Sequence, residues 1–341
     1  MLLTEMLLIA AMPLVQASQT RGISAATLGV IVNLNDPQSV AVANYYQRRR
    51  GIPAANVIRV RFRADADTLE ESEFRVMEAA VNQQTSASIQ AYALTWMKPY
   101  RVDCMSITTA IAMGFSRDFC SDGCKPTRVS HYYDSDTNLP MVDFALRPTM
   151  MLAAVDVARA RKLIDRGVAS DGTAPKGTAY LVNTGDAARN VRSPRYALAQ
   201  AVMGDAISIK RIDGASLSNA TDVMFYFTGA VQVPDINTNH YLPGAVADHL
   251  TSTGGGLLDT DQMSSLRWLE AGATGSYGTV VEPCNFTAKF PDPVVMMKHY
   301  LTGETLIEAY WKSVAMPGSG LFIGEPLARP YGPGRSMSSN H

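Results

Sequence analysis

The chain of 341 residues lacks the short motifs that announce the commonest enzyme chemistries. No Gly-x-Gly-x-x-Gly follows its first apolar run, so a dinucleotide would find no phosphate turn there. No Gly-x4-Gly-Lys-Ser/Thr occurs, which removes the nucleotide-phosphate loop of that type. His-Glu-x-x-His is absent and the five histidines are scattered, so no zinc centre is suggested. Gly-x-Ser-x-Gly is absent as well, and with it the simplest α/β-hydrolase elbow. Charge is scarce: 18% of residues are Asp, Glu, Lys or Arg, and the formal net charge is −1. That balance supplies no bulk attraction to nucleic acid or to an anionic membrane. The run Arg48-Arg49-Arg50 is a local exception, placed at the expected end of a helix where cations complement the dipole. No segment is apolar for long enough to span a bilayer.

What the chain does have begins at its N-terminus. Met6 to Val15 (MLLIAAMPLV) has the length of a signal-peptide core, and Val15-Gln16-Ala17 puts small residues before a cut at Ser18. Residues 1–17 therefore read as an export signal, although the segment before the core carries Glu5 and no Lys or Arg. A buried N-terminal helix is the competing reading. Export places the protein in a periplasmic or extracellular setting and changes the meaning of its four cysteines. The expectation is disulfides, with Cys120 closing on Cys124 and Cys104 left to pair with Cys284. A metal site at Cys120-x3-Cys124 is the rival, with His131 the nearest imidazole.

Short apolar runs alternate with helical stretches. Residues 28–33 fit a buried parallel strand; Asp36-Pro37 and Ser39 open a helix to Arg50, stopped by Gly51. Residues 57–62 read as a strand, 68–83 as a helix headed by acids, and 103–113 as containing a buried strand. That opening is βαβαβ and implies a parallel sheet. The stretch 114–148, rich in Ser, Asp, Cys and aromatics, reads as an ordered insertion. Helices are expected over 149–166, 193–203, 261–271 and 293–313, and strands over 178–184, 207–212, 222–228 and 274–282. The fold class is α/β, a mostly parallel sheet with helices on both faces. It forms one domain over 18–332 and a flexible tail over 333–341.

The stretches LGVIVNLNDPQSVAVANYYQRRRGIPAANVIRV, RPTMMLAA, LIDRGVASDGT, GATGSYGTVVEPCNFTAKFPDP and IGEPLARPYG resemble an exported bacterial family of unassigned function. The second half also resembles the gingipain-like cysteine peptidases of the caspase-hemoglobinase type. The match lies at Tyr226–Gly229, Leu242–Gly255, Gly272–Thr279 and Gly324-Glu325-Pro326. The resemblance implies a caspase-like fold and a peptidase-like hydrolase. It also exposes two departures. Where the pattern has His-Gly the chain has Thr228-Gly229, and where it has Cys the chain reads Asp248-His249-Leu250-Thr251-Ser252-Thr253. A threonine hydroxyl does not titrate near neutral pH and is no general base.

A rewired site is one expectation: Ser252 as nucleophile with His249 and Asp248, and Gly254–Gly256 offering N–H groups to an oxyanion. On a strand Asp248 and His249 point to opposite faces; on a helix His249 and Ser252 meet at i and i+3. A second constellation is Glu282, Cys284 and Lys289, with a free Cys284 thiol activated by the lysine or, alternatively, spent in a disulfide. Thr228, Gly229, Glu282 and Lys289 would line the crevice. The loop Asp235-Ile-Asn237-Thr-Asn239-His240 offers oxygen ligands for Ca²⁺ without EF-hand spacing, and no other cofactor is suggested. The alternative to a hydrolase is a non-catalytic protein that uses the same crevice to hold a peptide or another cell-envelope ligand.

Overall fold

Leu28–Asn33 (LGVIVN), apolar in all but its last residue, forms strand β1 and is buried along its whole length. This is the signature of a central parallel strand covered on both faces. The computed structural model that carries this strand describes residues 22–121, 124–258 and 260–333. The signal expected at 1–17, and the tail expected at 333–341 apart from its first residue, lie outside the described residues. After β1, Asp36 caps helix α1 (Pro37–Arg50) by accepting from the Gln38 amide, and Gly51 ends it. The chain continues through β2 (Val57–Val60), the two-residue β3 (Thr68–Leu69), α2 (Glu71–Gln84), β4 (Ala91–Leu94), β5 (Arg101–Val102), β6 (Met105–Ser106) and α3 (Ile107–Met113). Then come α4 (Pro140–Phe144), β7 (Thr149–Met151), α5 (Val157–Ser170), β8 (Thr178–Asn183), α6 (Pro194–Met203), β9 (Ser208–Asp213) and β10 (Val223–Gly229). The last elements are β11 (Tyr241–Leu250), α7 (Leu266–Ala271), β12 (Gly275–Thr279), α8 (Pro293–Leu301), α9 (Leu306–Lys312) and β13 (Gly320–Gly324).

Ten of these strands form one sheet in the order β2-β1-β4-β7-β13-β12-β11-β10-β8-β9. Pairing is parallel from β2 to β13 and again from β12 to β9, and only β12 against β13 is antiparallel. The expected α/β class with a mostly parallel sheet is what the chain adopts. Alternation along β1 sends Leu28, Val30 and Val32 into the core shared with α1, α5, α8 and α9, and Ile31 into the one shared with α2, α3 and α7. Helices thus cover both faces. Among the described residues no helix is long and apolar enough to cross a membrane.

Several boundaries differ from the sequence reading. The buried strand expected within 103–113 is only the two-residue β6 of a small second sheet, and the central strand after α2 is β4. Its sequence AYAL has little β-branched content, whereas Ser106 accepts from the Thr109 amide and starts a helix at Ile107. The expected helix 149–166 divides: Thr149–Met151 is a buried strand, and α5 starts only where Asp156 caps it by accepting from Arg159 N at 2.7 Å. The expected helix 293–313 is two helices. Gly303 turns the chain between them at φ +93°, and a Cβ there would sit 2.9 Å from the Tyr331 carbonyl oxygen. Thr305 and Glu308 then form a capping box that restarts the helix.

The 114–148 segment is fastened by disulfides, but in a different pattern from the expected one. Cys104 pairs with Cys120, and Cys124 pairs with Cys284. Cys104 and Cys120 are buried in the core below α3, while Cys124 is exposed and turned toward the loop after β12. Despite their short spacing, Cys120 and Cys124 thus go to two different partners. No described cysteine is free, which leaves no thiolate pair for a metal at 120–124.

Candidate functional site

The ends of β10 and β11 lie side by side, with Thr228 opposite His249 and Gly229 opposite Leu250. Because β11 is extended through Leu250, Asp248 and His249 project to opposite faces, as the period of two requires. The helical arrangement that would bring His249 to Ser252 is not formed. On one face, Asp248 Oδ1 lies 2.6 Å from Arg192 Nη2, with both side chains almost wholly buried (1% and 2% exposed). The same Nη2 donates to the Thr228 carbonyl at 2.7 Å, and Nη1 donates to the Pro291 carbonyl at 3.1 Å. Burial pushes the Asp248 carboxyl above the usual carboxylate range, and the Arg192 guanidinium pulls it partly back. Asp248 is thus the counter-ion of a buried arginine and no orienting acid for His249.

On the other face His249 is equally committed. Its Nδ1 accepts from Trp268 Nε1 at 2.9 Å, so the ring proton sits on Nε2, which is 2.9 Å from the Met263 carbonyl oxygen. The imidazole is 1% exposed, and burial holds its pKa down at about 4. Neither nitrogen is available to take a proton from a nucleophile. A titration of the ring by NMR should show a neutral imidazole from pH 8 to about 5. A midpoint near 6.5, the value of a free histidine, would contradict the buried geometry. The sign for stability follows. The unfolded chain takes up a proton below about 6.5 and the native ring resists it, so His249 contributes stability above pH 6.5 that declines as pH falls toward 4.

Ser252 lies beyond the strand end and is half-buried. Its amide donates to Gln262 Oε1 at 2.8 Å, and its carbonyl accepts from Thr279 Oγ1 at 2.8 Å. The candidate oxyanion donors are largely spent: Gly255 N binds the Thr279 carbonyl and Gly256 N the Thr253 carbonyl. The crevice itself is filled by the segment after β8. Thr184 Oγ1 donates to the Gly229 carbonyl at 2.5 Å, and Arg189 Nε donates to Thr251 Oγ1 at 3.3 Å. A Cβ on Gly229 would fall 1.9 Å from the Arg189 carbonyl oxygen, so only glycine fits where the two backbones cross. Thr228 is fully buried, and its hydroxyl finds no hydrogen-bond partner among the described residues.

The second constellation is also structural. Cys284 is in its disulfide and offers no thiol. Glu282 is exposed and its Oε1 accepts from Cys284 N at 2.7 Å, a local turn bond. Lys289 is fully buried and donates from Nζ to the Lys125 carbonyl at 2.7 Å and the Pro283 carbonyl at 3.0 Å. Burial lowers its pKa while Glu282 opposes that shift. Lys289 and the disulfide together pin the 114–148 segment to the loop after β12. In the loop 235–240, Asp235 Oδ2 accepts from Ser216 Oγ at 2.9 Å. Asn239 accepts from Ala220 N through Oδ1 and donates from Nδ2 to the Leu217 carbonyl, and Asn237 is exposed. These bonds tie the loop to residues 216–221. Among the described residues no three His, Cys, Asp or Glu side chains gather as metal ligands.

Four residues that organise this region carry no sequence signal: Arg189, Arg192, Gln262 and Trp268. Gln262 Oε1 alone receives the Thr251 hydroxyl and the Ser252 and Thr253 amides. They reach the strand ends from other elements, and only the folded chain brings them there. The geometry is that of a closed, internally satisfied strand-end cluster. Neither family models, nor curated proteins, nor solved structures yield a match to this chain.

Proposed function

We propose that the protein is a non-catalytic binding protein of the cell envelope, descended from a peptidase-like hydrolase of the caspase type. The strand layout supports the descent: β10 and β11 are adjacent and parallel, and the Gly-rich β12 and the strand that runs into Gly324-Glu325-Pro326 lie next to them in the same sheet. The ends of β10 and β11, at Thr228-Gly229 and beyond His249, are where that pattern has its His-Gly and Cys. Two disulfides fit an oxidising compartment, in keeping with the export signal read at 1–17.

The observation that carries the non-catalytic reading is His249, buried with both ring nitrogens engaged. Without a free base, the Ser252 hydroxyl stays a weak nucleophile at neutral pH. A broad peptide and ester library, with fluorophosphonate labelling in parallel, tests this. The expected result is no turnover above buffer and no labelled serine in wild type or Ser252→Ala. Turnover that Ser252→Ala abolishes would restore the hydrolase. Retention of library peptides on immobilised protein tests the binding half. It should weaken on Glu282→Trp at the exposed lip of the loop after β12, and the absence of any retained peptide would remove the peptide ligand.

A further inference from the structure

A cavity of about 130 Å³ opens between α5, α7 and the turn after β7, away from the strand ends just described. Leu163, Leu266 and Leu269 supply its apolar wall, and Ala153 and Ala154 form its floor. Three cations face it: Arg159, Lys162 and Arg166. The one acid in the lining, Glu270, is paired with Arg267 at 2.7 Å, and Arg159 is paired with Asp156. Lys162 and Arg166 have no carboxylate partner among the described residues. Arg166 caps the end of α7 by donating Nη2 to the Leu269 and Ala273 carbonyls, and its buried Nε has no hydrogen-bond partner.

A half-buried guanidinium with no counter-ion is costly, and burial alone draws the Arg166 pKa down to about 10. A guanidinium whose Nε is unpartnered, beside a flexible lysine and over an apolar wall, is complementary to a carboxylate carrying a hydrocarbon group. Cavity size limits that group. A dry engineered cavity of about 150 Å³ holds benzene, so this one takes roughly six non-hydrogen atoms. We propose that this cavity is a binding site for a small branched or linear aliphatic carboxylate, with Arg166 and Lys162 meeting the carboxylate and Leu163, Leu266 and Leu269 the chain. The carboxylate comes either from a free short-chain acid or from the C-terminal residue of a peptide. The site does not depend on the reading given to the strand ends.

Titration calorimetry at low ionic strength tests this with 4-methylpentanoate, its alcohol 4-methylpentan-1-ol, acetate, and the tripeptide acetyl-Ala-Ala-Leu as free acid and as amide. Saturable binding of 4-methylpentanoate or of the tripeptide acid is expected, at least tenfold tighter than of the alcohol, acetate or the amide. Which acid binds identifies the source. Lys162→Glu, at an exposed position with no structural bond, should weaken binding at least tenfold, and Arg166→Gln should do the same if it folds. Equal affinity for acid and alcohol, equal affinity for acetate, no binding of either acid, or an unchanged affinity in Lys162→Glu would each overturn the proposal.

Discussion

Asp248→Ala is expected to lower the free energy of unfolding by about 3–5 kcal/mol at neutral pH. The cost arises less from the lost attraction than from what remains: an Arg192 guanidinium, 2% exposed, with no counter-ion. Water cannot reach it cheaply, because Phe227 stacks beneath the guanidinium at 5.6 Å and the Thr228 and Pro291 carbonyls hold it in place. The pair is also expected to be strongly non-additive. Removing both charges together, as Arg192→Met with Asp248→Leu, should recover much of the loss, since a buried pair replaced by apolar groups is often near neutral. Urea denaturation at constant m-value checks both. A loss below about 1 kcal/mol for Asp248→Ala, within the range of an exposed pair, would mean that solvent screens this site and that it is no core element.

Removing the long-range disulfide should be comparably severe. Cys124 and Cys284 are 160 residues apart in sequence and Cys104 and Cys120 are 16 apart. Chain-entropy arguments give about 5 kcal/mol for closing the larger loop and about 3 kcal/mol for the smaller. Replacing both members of the Cys124–Cys284 pair by Ser should therefore cost about 3–5 kcal/mol, and should free the 114–148 segment from the loop that Lys289 also holds. The exposed position of Cys124 makes this bond the first to yield to a mild reductant, ahead of the bond between buried Cys104 and Cys120. Denaturation of the two double variants and a non-reducing peptide map check the assignment. A peptide joining Cys120 to Cys124 would overturn it.

Where local pattern coincided with the final element, the fold was legible. The β-branched run at 28–33 and the Asp36-Pro37 start of α1 are strong because packing and capping agree there. AYAL at 91–94 and TMM at 149–151 are buried strands with little local preference, held by neighbours on each side of the sheet. The candidate site divided along the same line. That Asp248 and His249 face opposite ways follows from strand periodicity alone, and so does the difficulty of assembling both around Ser252. That Arg192 waits for one and Trp268 for the other does not, because those contacts depend on how the turn at 190–192 and α7 lie against the sheet. Cysteine pairing was the least legible feature. Spacing of two cysteines says how near they are along the chain, and nothing about which way the backbone turns each one.

The reversed strand at the middle of the sheet bears on how the protein is made. β13, Gly320–Gly324, is the last strand of the described chain, yet it lies between β7 and β12 and joins the two parallel half-sheets. Until those residues leave the ribosome, β7 and β12 each present an unpaired edge, and such edges recruit other chains. Synthesis therefore delivers the keystone last. Each half can gather its own strands early, but the wall between them closes only once residues 320–324 have arrived. A nascent chain stalled short of Gly320 would carry two open edges at once.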